Sequence, residues 1–199
     1  GQGNFNYLEN GIALYQSPNS GKKLVLIHGQ GLATSEGNIQ VLFAENQVGQ
    51  RGREFNTNFY DLVYRARESG EGVLITAARP YAWRSEVLEN VDVLETWNGM
   101  DSNANNEKAA KIAHDLEKPG VYVSNSKCLT DLGKSYTNLD MPQGIFDNLS
   151  LRSIVEGIHA GLDLRVNERD LGGKRGTSTL SKIVQALAIA EVKLTGNKD

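Results

Sequence analysis

FYDLVYRARESG (59–70), VLITA (73–77), VDVLETW (91–97), NANNEKAAKIAHDL (103–116) and VYV (121–123) follow one another within 65 positions and carry the decisive pattern. In the first stretch Phe59, Leu62, Val63 and Ala66 recur at helical spacing. Thr57 or Asn58 stands where a cap belongs, and Gly70 where a helix ends. VLITA is a short aliphatic run of the kind that makes a buried strand, and Pro80 stops its pairing because proline lacks a backbone donor. VDVLETW reads as the next strand and leads into the loop Asn98-Gly99. Ala109, Ile112, Ala113 and Leu116 form one stripe of a helix that Pro119-Gly120 terminates, before the strand Val121–Val123. Strands alternating with helices at short spacing argue for an α/β chain with a largely parallel sheet or barrel.

Outward from this block the pattern continues. Leu24–Ile27, bounded by Gly21 and Gly29, reads as a buried strand, and Asn38–Ala44 as another, with a turn at Thr34–Gly37 between them. Leu151, Ile154, Val155 and Ile158 mark a helix that Asn148 or Ser150 caps and Gly161 closes. The stretch from Asp163 to Thr179 is polar and glycine-rich, an expected surface excursion before a last helix carrying Leu180, Ile183, Val184, Leu187 and Leu194. Residues 1–23 are ambiguous, although Asn10-Gly11 suits a hairpin turn. A chain of 199 residues is expected to form a single domain. Parallel sheets place ligand-binding loops at the carboxyl ends of their strands, here after Ile27, Thr76, Thr96 and Val123.

Composition narrows the function. Twenty-one Lys and Arg against 24 Asp and Glu give a net charge of −3, which disfavours a nucleic-acid partner. A mean hydropathy of −0.40 and the lack of an apolar run near 18 residues argue against a membrane span, and no membrane partner is expected. The first residues show no charged-then-apolar pattern of a secretory signal, and Cys128 stands alone, so a reducing cytoplasm is expected. Three histidines, His28, His114 and His159, leave little material for a zinc site built on imidazoles. Gly172–Ser178 lacks the order of a phosphate loop and follows no strand.

The strand-end loops carry further motifs: His28-Gly29-Gln30-Gly31 with Glu36-Gly37-Asn38, Ala78-Arg79-Pro80, Glu95-Thr96-Trp97-Asn98-Gly99, and Ser124-Asn125-Ser126-Lys127 with Asp131-Leu132-Gly133. In order and spacing, from residue 24 to 161, this set resembles the PHP family, named for its polymerase and histidinol phosphatase members. The resemblance implies an irregular (β/α) barrel of about seven strands, with 1–23 unplaced and 162–199 appended as a loop and C-terminal helix. In the family such loops hold up to three metal ions that activate water against phosphate esters. Here the matching positions hold Gly31, Asn38, Arg79, Asn125 and Lys127. The family's opening Asp-x-His-x-His strand has no counterpart, so the barrel is expected to be incomplete at its N-terminus.

Zinc and manganese require imidazole, thiolate or carboxylate donors. Arg and Lys offer no lone pair, and their charge opposes that of a metal. No cofactor is therefore expected, and the anticipated function is non-hydrolytic: a binding or scaffolding module that meets a phosphate-containing ligand or a protein partner. The ribonuclease P protein subunit of archaea and eukaryotes is a precedent for a barrel of this family without the cluster. Arg79, Lys127, Asn125, Asn38 and Arg84 are the candidates for anion binding. In the bland alternative Arg79 and Lys127 pair with acidic neighbours such as Glu36 or Glu95 and merely fill the old site. The enzymatic alternative is a metal-dependent phosphoesterase with a rebuilt site that uses His28, Glu36, Asp92 or Glu95 with one weakly held metal.

Overall fold

The computed structural model describes residues 4–7, 12–21, 23–44, 46–49, 57–126, 128, 135–139 and 150–168. Among the described residues two sheets and four α-helices make up a mixed α/β architecture. The first sheet is antiparallel: β1 (Asn4–Tyr7), β2 (Ile12–Gln16) and β3 (Lys23–Ile27) lie in sequence order. Tyr7 pairs with Ala13, so a β1–β2 hairpin spans the expected turn region. The second sheet runs β4 (Gly29–Ala33), β5 (Asn38–Leu42), β6 (Leu74–Ala77), β7 (Val93–Asn98) and β8 (Gly120–Val123), also in sequence order.

This sheet is half antiparallel, which corrects the expectation of a largely parallel one. β4–β5 and β5–β6 are antiparallel, whereas β6–β7 and β7–β8 are parallel. The four-residue turn at Thr34–Gly37 accounts for the β4–β5 pair. A connection that short can only fold a strand back on its neighbour, while parallel neighbours need a crossover of a dozen residues or more. The segment after Ile27, expected as a loop, is strand β4. Its sequence Gly-Gln-Gly-Leu-Ala is partly exposed and gives no apolar alternation. Among the described residues the sheet is open, with β4 and β8 at its edges, and does not close into a barrel.

Alternation along the central strands divides the core into two layers. Val41, Ile75 and Leu94 face helix α1 (Phe59–Glu68), the short helix α2 (Ser85–Leu88) and α3 (Asn103–Asp115). Leu42, Leu74 and Val93 face the opposite way, onto Ile154, Val155, Ile158 and Leu162 of α4 (Leu151–Glu168) and onto Ile12, Val25 and Ile27 of the small sheet. The Asn58 carboxamide caps α1, accepting from the Tyr60 and Asp61 amides at 2.9 and 3.4 Å. The Ser102 hydroxyl accepts from Asn105 N at 3.2 Å and caps α3. Ser150 caps α4 by accepting from Ser153 N at 3.1 Å.

Helix α4 does not stop at Gly161 as the sequence implied. It runs to Glu168, so the first residues of the expected surface excursion are helical. Glycine inside a helix costs about 1 kcal/mol, and burial of Ile158 and Leu162 on either side of the site outweighs it. The last helix, over 180–194, lies outside the described residues.

Candidate functional site at the strand ends

At the carboxyl end of β6 the backbone turns sharply. Arg79 sits in the left-handed region at φ 52°, ψ 57°, followed by Pro80 and a 3-10 turn over Pro80–Ala82. A side chain with a Cβ pays roughly 1–2 kcal/mol for that conformation, and a following proline disfavours helical backbone further. The neighbourhood enforces it. Ala78 N donates to Asn38 O at 2.9 Å, and Trp83 Nε1 donates to Ala78 O at 3.0 Å. The Trp83 indole packs on Gly37, where a Cβ would lie 2.4 Å from the ring. Gly37 belongs to the β4–β5 turn, which the Thr34 hydroxyl closes by donating to Gly37 O at 2.7 Å.

Two arginines then meet carboxylates. Arg84 grips Glu36 with two nitrogens, at 3.1 and 2.6 Å, tying the β4–β5 turn to the segment after β6. Arg79 approaches Asp101 through Nε alone, at 3.4 Å, and its side chain is 54% exposed. Among the described residues no acceptor meets its two terminal nitrogens. Asp101 is fully engaged: it accepts from Tyr81 OH at 2.5 Å, from Asn105 Nδ2 at 2.9 Å and from Ser102 N at 3.1 Å. The Tyr81 hydroxyl, first, and these other donors hold Asp101 below the usual carboxylate range. Burial, and then the Asp101 carboxylate, push the Tyr81 phenol upward.

Glu95, on β7, is 5% exposed. Burial raises its carboxyl from 4.5 to about 7, against the opposing pull of the Asn98 hydrogen bond and of Arg79, and with some help from Asp101. Asn98 organises the end of β7. Its Nδ2 donates to Glu95 Oε1, its Oδ1 accepts from Met100 N at 2.9 Å, and its backbone is bracketed by the buried Asn106 carboxamide. Gly99 allows β8 to come close, since a Cβ there would stand 2.9 Å from Ser124 O. The Glu95–Gly99 motif is thus a strand-end brace built around one buried acid.

The structure brings together Arg79, Asp101 and Tyr81, and it joins Arg84 to Glu36 as a separate pair. Asn38 is exposed at the start of β5 and contributes its backbone carbonyl. Asn125 is exposed beyond β8 and is also left-handed, at φ 45°. Lys127 lies outside the described residues. His28 and Glu36 are not brought together. Gly29 pairs with Leu42, which pairs with Leu74 at the start of β6. His28 therefore sits at the far end of β4 from Glu36, about 17 Å away at 3.3–3.4 Å per strand residue. Asp101 and Tyr81 were missed from the sequence. Asp101 precedes Ser102-Asn103, where an acid reads as part of a helix start, and Tyr81 follows a proline in a loop.

The strand-end set does not fit a metal cluster. Gly31, Asn38, Arg79 and Asn125 supply no anionic or imidazole donor. No three His, Cys, Asp or Glu side chains are grouped to hold an ion among the described residues. A second polar groove, of about 590 Å³, lies at the other end of the sheet, where β6 and β7 begin at Leu74 and Val93. There Arg67 grips Asp92 at 2.9 and 2.7 Å, and Lys118 Nζ donates to Val91 O at 2.5 Å. No described helix is long and apolar enough to cross a membrane. Comparison with family models, with curated proteins and with solved structures finds no match to this chain.

Proposed function

We propose that this chain is a non-hydrolytic, PHP-like binding module that holds a small oxyanion, a phosphate or carboxylate group of a ligand or protein partner, on Arg79. In this reading the five-stranded sheet is part of the irregular barrel of that family. Support comes from the placement of the motifs. Ala78-Arg79-Pro80, Asn98-Gly99 and Ser124-Asn125 stand at the carboxyl ends of three consecutive strands. A reducing cytoplasmic setting goes with the reading, since Cys128 is a single exposed thiol.

The observation that carries the proposal is the state of Arg79. Backbone strain at a non-glycine residue, kept by surrounding contacts, is typical of binding sites. Here it holds a guanidinium whose described contact is the one from Nε to Asp101, on a side chain that is largely exposed. That fork matches two oxygens of a phosphate or carboxylate. Arg84 plays a different part, because two of its nitrogens are spent on Glu36 and the third lies 3.6 Å from Glu86.

Titration with sulfate at pH 5.5, followed by calorimetry, tests the reading. One arginine in a partly exposed site should give a dissociation constant on the order of 1 mM, and Arg79→Gln should abolish binding. Equal binding by the variant would refute the assignment. Turnover of a simple phosphomonoester that disappears on chelation would refute the non-hydrolytic character.

A further inference from the structure

Arg79 does not offer its charge alone. Its Nε lies 3.4 Å from Asp101 Oδ2. The same oxygen accepts from Tyr81 OH at 2.5 Å. The other oxygen accepts from Asn105 Nδ2 at 2.9 Å and from Ser102 N at 3.1 Å. Three donors besides the arginine thus fix this carboxylate, on a side chain that is only 12% exposed. The Tyr81 bond, first among them, holds its carboxyl below the usual range, so Asp101 stays ionised at pH 5.5. It is a standing negative charge, built into the loop before α3 whether or not a ligand is bound.

The guanidinium is used unevenly. Its Nε faces Asp101, while its terminal nitrogens meet no acceptor among the described residues. Arg84 adds no free charge, with Glu36 at 2.6 Å and Glu86 at 3.6 Å. Arg79 and Asp101 together carry no net charge. An oxyanion held end-on by the terminal nitrogens at hydrogen-bond distance lies about 7 Å from the Asp101 carboxylate. Attraction to such a pair grows in proportion to the charge of the ligand. The cost of removing water from the ligand grows with the square of its charge. A pair with no net charge therefore suits a monoanion better than a dianion.

We propose that Asp101 is the specificity-determining residue of the Arg79 site and selects a singly charged oxyanion, such as a carboxylate, over a doubly charged one. This inference rests on the anion reading of Arg79 and deepens it by fixing the charge of the ligand. The ligand takes the two terminal nitrogens, and Asp101, held by Tyr81, Asn105 and Ser102, repels a second negative charge.

NMR titration of the labelled protein at pH 5.5 and low ionic strength tests this with formate, dimethyl phosphate and sulfate, all fully ionised there. At that pH Glu95, raised to about 7, carries no charge that would confuse the comparison. In the parent, formate and dimethyl phosphate should bind at least as tightly as sulfate, although sulfate has twice the charge. Asp101→Asn keeps an oxygen for Tyr81 and removes the charge. Affinity should then rise about three-fold for formate and about ten-fold for sulfate, from one unit charge removed at about 7 Å in a water-like dielectric. Sulfate bound more tightly than formate by the parent, or a formate-to-sulfate ratio unchanged in Asp101→Asn, overturns the role of Asp101 and leaves the Arg79 reading standing. Dimethyl phosphate is the control for shape, being tetrahedral but singly charged. If it binds more weakly than sulfate, charge is not what the site selects and the role of Asp101 falls. The order of the three anions is read on the parent, so it decides the matter even if Asp101→Asn fails to fold. No binding of any of the three by the parent overturns both readings.

Discussion

Replacing Glu95 with glutamine should change how stability depends on pH, whatever the site binds. The carboxyl is raised from 4.5 to about 7, and burial is the main cause. The folded state therefore holds the proton more tightly than the unfolded chain does. The associated stability is fully present below pH 4.5 and is lost as pH rises through about 7. The size follows from the shift, roughly 2.5 pKa units at about 1.4 kcal/mol each, or about 3 kcal/mol in all. Glutamine keeps an acceptor for Asn98 and carries no charge, so Glu95→Gln lacks this loss. Urea unfolding of both proteins at intervals from pH 4.5 to 8.5 measures it. The stability difference, variant minus parent, should climb by about 3 kcal/mol across that range and level off above pH 8. Asp101 is shifted downward, so its effects fall below this window and cancel in the difference. A difference that stays flat from pH 4.5 to 8.5 refutes the claim that Glu95 is buried at the cost of its charge.

Other substitutions separate structural from binding roles. Asp92→Ala leaves the buried Ile75 amide without its 2.7 Å acceptor and should cost roughly 1–3 kcal/mol. Arg67→Met removes the half-exposed ion pair to Asp92 and the 3.0 Å hydrogen bond to Val73 O, leaves the Ile75 amide its acceptor, and should cost about 1 kcal/mol. Equal midpoint shifts for the two in thermal unfolding would contradict that ranking. Gly37→Ala drives a Cβ into the Trp83 indole, with an expected loss of roughly 1–3 kcal/mol and a change in tryptophan fluorescence. Gly31→Ala meets nothing within 4 Å and should stay within about 0.5 kcal/mol of the parent. Arg79→Gly relieves left-handed strain while losing an exposed ion pair, so its stability should move by less than about 1 kcal/mol. Its sulfate binding, read by calorimetry at pH 5.5, should disappear.

How much could be read in advance differed from element to element. Helices α1 and α3 and strands β6, β7 and β8 were legible, because each buries a stripe or run that its own residues spell out. The Thr34–Gly37 turn was legible from its glycine. Strand β4 was not, because it is an edge strand with little buried surface and needs no apolar alternation. Its pairing with β5 comes from backbone hydrogen bonds, which leave little mark on side-chain choice. The continuation of α4 past Gly161 was hidden for the opposite reason. A local breaker was present, and contacts with residues more than a hundred positions earlier overrode it. Within the site, Arg79 and Arg84 both stood out as cations in a loop. Nothing in their spacing showed that one is spent on Glu36 and the other left open.

The sequence alone determined the chemical stock of the strand ends: arginine, asparagine and glycine, with a single acid on β7. It also determined the alternation of strands and helices, since hydrophobic period is a property of near neighbours along the chain. Only the tertiary structure decided the direction of β4, the pairing of Arg84 with Glu36 across 48 positions and the burial of Glu95 against Asn98. Those outcomes depend on which groups face each other through space and on how much water remains between them. A carboxyl that would ionise near 4.5 on an exposed loop becomes, in this fold, a group that changes charge at about 7.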